Sequence, residues 1–178
     1  MAILSIVYAP HPIFKQKAKS IDKIDDLIRQ FANDMLDTMY FENAVGIGAN
    51  MLGIDQRIIV VDIKQAASKT YVMINPEIIE TSTEIIEHEE ASLSFPGISA
   101  LIKRPSKIKV KYLDIDNKEQ ILEAEGFLAR VILHENDYLN GITYLDHLSK
   151  MKRDILTTKM IKYIKHNPPH VHGKHCNH

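Results

Sequence analysis

Between residues 22 and 40, Ile24, Leu27, Ile28, Phe31, Met35, Leu36 and Met39 recur at three- and four-residue intervals, separated by Asp and Arg. Positions three and four apart share one helical face, so the spacing predicts an amphipathic helix. Residues 1–8 form an apolar run closed by Pro10 and Pro12, which reads as a first strand. The small-residue stretch 44–50, with Gly46 and Gly48, reads as a loop whose glycines allow backbone to approach a ligand closely. Beyond it, the β-branched runs 57–63 and 70–74 predict strands, and Asn75-Pro76 predicts a turn before residues 77–80. Residues 108–113 alternate as a half-buried strand should, and 114–118 predict a hairpin turn into 120–124.

The last third of the chain returns to helical spacing. Leu128, Val131, Ile132 and Leu133 lead into His134 and Glu135, with Tyr138 one turn after His134 on the same face. A second helix spans 151–165, with Ile155, Met160, Ile161 and Ile164 apolar and several Lys and Arg polar, and Asn167-Pro168-Pro169 stops it. Helix, then antiparallel-looking strands, then the His134 helix make an α+β domain, not a regular βαβ series. Residues 1–166 are expected to form one domain, and 167–178 a polar, histidine-rich tail expected to be disordered.

Composition narrows the function classes. The formal net charge of -1 implies neither a DNA nor a membrane partner, and no run reaches the ~18 apolar residues of a membrane span. The amino end lacks a basic segment and a small-residue cleavage site. A single cysteine, Cys176, excludes an internal disulfide framework and fits a reducing bacterial cytoplasm or organelle matrix. His170, His172, His175, Cys176 and His178 have the composition of a metal-binding tract, with adventitious metal the expectation.

The chemistry concentrates at His134-Glu135-Asn136-Asp137-Tyr138. A histidine at 138 would complete H-E-x-x-H, in which two imidazoles hold a metal and the glutamate moves a proton. Three stretches in order then resemble the peptide deformylases, metal hydrolases that remove the formyl group from the N-terminal methionine of new bacterial and organellar proteins. The family carries G-x-G-x-A-A-x-Q, E-G-C-L-S and H-E-x-D-H. Here the first reads Ala44-Val-Gly46-Ile-Gly48-Ala49-Asn50-Met51, the second Glu90-Ala91-Ser92-Leu93-Ser94, and the third ends in Tyr138. The resemblance reaches about residue 165 and implies a deformylase-like fold. In it, antiparallel or mixed sheets surround a central helix carrying His134 and Glu135, with helices toward both ends.

The resemblance also marks what is changed. Met51 stands where the family has the glutamine that stabilises the oxyanion, Ser92 replaces the cysteine ligand, Tyr138 replaces the second histidine, and His134 alone remains of three metal ligands. A serine hydroxyl is a poor ligand beside a thiolate, and a tyrosine must lose a proton with a pKa near ~10. Loss of one oxyanion donor alone costs ~3 kcal/mol of transition-state stabilisation. His134 reads either as a retained ligand or as a hydrogen-bonded core residue, Glu135 as a general acid/base or an ion-paired side chain. Arg104 reads as the family's arginine near the substrate cleft or a solvated strand-end charge. His88 lies four residues before Ser92, ~13 Å along a strand, too far to share a metal.

Three functions compete. One is a deformylase-like protein without metal-dependent deformylation and without a pocket cofactor, keeping a cleft of Gly46, Gly48, Leu93, Ser94 and Arg104 for a peptide N-terminus or small ligand. The second is an active deformylase or amidase with a divalent Fe or Zn ion on Ser92, His134 and Tyr138 and Glu135 as base. The third is a ribosome-associated protein using the basic face of 151–165.

Overall fold

The computed structural model describes residues 2–65 and 68–168. A five-stranded antiparallel sheet in the order β1-β2-β3-β6-β7 forms its centre: β1 (Gly46–Gly48), β2 (Ile58–Val61), β3 (Tyr71–Thr81), β6 (Lys107–Leu113) and β7 (Glu119–Glu125). A separate hairpin pairs β4 (Ile85–Glu90) with β5 (Ala100–Pro105). Helices α1 (Asp26–Phe41), α2 (Gly126–Leu139) and α3 (Lys150–His166) complete an α+β architecture, as the residue pattern implies.

Strand β2 explains how the layers stack. All four residues are buried, because alternate side chains enter two different cores. Ile59 and Val61 join Val131, Ile132 and Leu139 of α2, while Ile58 and Val60 join Met35 and Met39 of α1. The sheet is thus covered on both faces, and α2 is buried almost all round from Ala129 to Asn136. A helix so enclosed holds its polar side chains in fixed surroundings, which is what a site requires.

Several expectations are corrected. Residues 2–8 form no strand; their backbone instead ties into the core through Val7 N–H donating to the Met51 carbonyl at 2.7 Å. The 44–50 loop contains strand β1, held by pairing with β2. Asn75-Pro76 does not end a strand: β3 runs through it with a bulge, Asn75 standing at φ 51° and hydrogen-bonding both Ile21 backbone groups at 2.8 Å. Helix α1 starts at Asp26, where the Asp25 carboxylate caps Ile28 N–H, leaving Ile24 before it. On α3, Ile155 and Ile161 are exposed and Met160 is the buried anchor. Strand β5, six residues ending in a proline, is not predicted by the residue pattern and forms by pairing with β4. No helix among the described residues is long and apolar enough to cross a membrane.

Candidate functional site

Helix α2 lies directly beneath β1, and glycine makes the approach. A Cβ on Gly46 would stand 2.7 Å from Val131 Cγ1 and 3.2 Å from Glu135 Oε1, so any side chain there would push strand and helix apart. Beside this contact opens a cavity of about 610 Å3, walled by Leu93, Phe95, Ile98, Phe127 and Val131. Met51, Ser92, His134 and Glu135 also line it. The cavity is mostly apolar with a few polar groups converging at one end, the usual make-up of a small-ligand site.

Behind that polar end sits a buried ion network. Glu90, 5% exposed, accepts from Arg104 Nε at 2.6 Å and Nη2 at 3.0 Å, from Arg130 Nη1 at 3.3 Å, and from His134 Nδ1 at 2.8 Å. Arg104 Nη1 donates onward to Asp137 at 2.7 Å, and His147 Nε2 pairs with the same oxygen at 2.7 Å. Burial pushes the Glu90 carboxyl up, but bonds from His134 and Arg104 and their charges bring it down to about 2. An ionised carboxylate only accepts, so Nδ1 of His134 carries the proton and the ring orientation is fixed. The network anchors β4, β5 and α2 to one another.

Glu135 has no such partners. It is 4% exposed, its Oε2 has no hydrogen-bond partner, and burial raises its carboxyl, with the nearby His134 and the Gly48 amide opposing. Tyr138 is fully buried, its ring packed against Phe14 (5.8 Å between centroids), Phe95 (6.0 Å) and His134 (4.8 Å). Its hydroxyl lies toward Ser92 without a hydrogen bond of ordinary geometry, and burial pushes its pKa well above the ordinary phenol value of 10. The donor set therefore does not fit a divalent ion. A phenol so hard to ionise and a neutral serine supply no anionic ligand, leaving a single ring nitrogen of His134. Among the described residues no three His, Cys, Asp or Glu side chains cluster as a metal site.

The residues expected in the cleft divide into two groups. Gly46, Leu93, Met51, Ser92, His134 and Glu135 border the cavity. Arg104 stands behind it as the Glu90 anchor, Gly48 lies against Glu135, and Ser94 is buried, its carbonyl accepting from Ala9 N–H at 2.8 Å. His88 is exposed on β4. Glu90 and Arg130 were missed as functional candidates, because only the fold reveals that an acidic run ends facing two arginines. The histidines and cysteine of the tail lie outside the described residues.

Comparison with known proteins places this geometry. The model of the polypeptide deformylase family matches residues 3–154. A peptide deformylase-like protein of Rickettsia conorii is 55% identical over 97% of this chain and 95% of its own, and a peptide deformylase of Mesorhizobium japonicum is 39% identical over 95% and 97%. The crystal structure of peptide deformylase from Ehrlichia chaffeensis superposes with a TM-score of 0.89 at 34% identity, covering 93% of this chain and 99% of the other. A Legionella pneumophila peptide deformylase gives 0.89 at 34%, over 96% and 100%. With the family model matching residues 3–154 and relatives 39–55% identical along nearly the whole sequence, the chain belongs to the peptide deformylase family.

Proposed function

We propose that this family member does not carry out metal-dependent deformylation and uses the retained cavity to bind a peptide N-terminus or a small ligand. The observation that carries the reading is Tyr138, which stands in the motif where the resemblance places the family's second histidine: its ring is fully buried, and its phenol is held against ionisation by that burial. A metal site worth ~10 kcal/mol or more needs three or four good donors at once, and His134 is a single one. Met51, buried at 2% exposure, offers no amide to a developing oxyanion. The intact apolar cavity supports continued ligand binding, since strand-type backbone recognition beside β1 requires no metal.

The test is metal content of anaerobically purified protein lacking residues 167–178, paired with hydrolysis of a formyl-Met peptide. Substoichiometric metal and no turnover above buffer are expected. Stoichiometric Fe or Zn, with turnover abolished by Glu135→Gln, would establish the altered-site enzyme instead. Removing the tail first keeps its histidines from supplying the metal signal.

A further inference from the structure

A second cavity, of about 430 Å3, opens where the N-terminal turn meets α3, with Phe14, Leu145 and Met160 buried in its wall. Among the described residues only Phe95 lines both cavities. Its ring and that of Phe14, 5.6 Å apart, pack on Tyr138, so aromatic rings stand between this space and His134. We propose that the second cavity binds a medium-chain aliphatic carboxylate, its chain against Phe14, Leu145 and Met160 and its head group between Lys15 and Arg153. The site uses neither Glu135 nor a metal, and it stands or falls separately from the main cleft.

The lining is mostly apolar, and its volume falls within the roughly 300–1,000 Å3 of small-ligand sites. Charge at its edge selects the head group. Lys15 and Arg153 there face a single carboxylate, Asp146, which leaves one positive charge uncompensated. Asp146 is already saturated. Its Oδ1 accepts from Lys15 at 2.9 Å and Arg153 at 3.0 Å, and its Oδ2 from Lys15 at 3.0 Å, the Thr143 amide at 2.8 Å and the Thr143 hydroxyl at 2.9 Å. Arg153 contributes only Nη1 to this set, and its Nε and Nη2 donate to nothing among the described residues. A guanidinium presents five donors in a planar fork that matches a carboxylate, so an incoming carboxylate finds open donors and the missing counter-charge in one place. An ammonium head group would meet two cations, and an uncharged one would leave the excess charge as it is.

The experiment is methyl-detected NMR of the full chain, labelled at its Met and Leu methyls and titrated at low salt with octanoate, octanol and octylammonium. Met160 and Leu145 report the second cavity, Met51 and Leu93 the first. Octanoate should shift Met160 and Leu145 saturably, with at least about tenfold tighter binding than either other ligand, the lower end for a hydrogen bond to a charged group. Arg153→Ala should bring octanoate to within about threefold of octanol, Asp146 keeping its bonds from Lys15 and Thr143. Octanol or octylammonium binding as tightly as octanoate overturns the charge selection. Shifts confined to Met51 and Leu93 overturn the second site, as does a failure to saturate at millimolar octanoate. A preference for octanoate that survives Arg153→Ala overturns the role of Arg153. The three ligands on the native chain decide even if the variant does not fold.

Discussion

Arg104 is the side chain whose role differs most between chain and fold. Buried at 3% exposure, it grips Glu90 through two nitrogens and Asp137 through a third. Removing one partner of a buried ion pair strands the other charge, so Arg104→Ala should cost about 3–5 kcal/mol, read as a lower urea midpoint with an unchanged slope. An exposed pair such as Lys150 with Asp154, tested as Lys150→Ala, should cost less than about 0.5 kcal/mol. The sequence singled out Arg104 by its neighbourhood in the family pattern and could not indicate its partner. Glu90 closes the acidic series Glu87-His88-Glu89-Glu90, whose first three members are exposed. Nothing local distinguishes the fourth, because its partners lie 14, 40 and 44 residues away.

At the level of elements, the strongly periodic pieces were legible and the glycine-bounded ones were not. Helices α1 and α2 and the β6–β7 hairpin follow from spacing, including the turn where Asn117 takes φ 61°. Strand β1 is Gly-Ile-Gly, with no strand-forming run; it becomes a strand because β2 offers it a ladder and α2 tolerates no side chain beneath. Gly141, which follows α2 at φ 74°, has the same kind of non-local reason, since a Cβ there would stand 2.9 Å from the Lys15 backbone. Gly126 at φ 59° has nothing within 4 Å. Alanine should therefore cost about 1 kcal/mol at 126 from backbone strain alone, and at least about twice that at 141. Thermal or urea unfolding of the two variants gives the comparison, and equal losses would refute the close-approach account of Gly141.

For the molecule as a whole, the two most depressed carboxyls hold distant parts together. Glu90 joins β4, β5 and α2, and Asp146 joins the N-terminal turn through Lys15 at 2.9 Å and α3 through Arg153 at 3.0 Å. Burial raises the Asp146 carboxyl, but bonds from the Thr143 amide and Lys15 outweigh it and bring it to about 2. Ordinary values are 4.5 and 3.8, so the unfolded chain takes up these protons first as pH falls. Their contribution is complete above pH 4.5 and is lost progressively toward about pH 2. Urea midpoints should decline across that window, and Asp146→Asn should flatten part of the decline. The aromatic cluster around Tyr138 bears on descent. Its ring is enclosed by Phe14, Phe95 and His134, so a histidine there, being smaller, opens a gap in close-packed surroundings. Tyr138→His alone should destabilise the chain by on the order of 1–3 kcal/mol, measurable by denaturant unfolding. A change to the family's histidine at this position would thus carry a folding cost in this chain whatever it returned in ligand affinity, which makes the tyrosine a ratchet on the sequence.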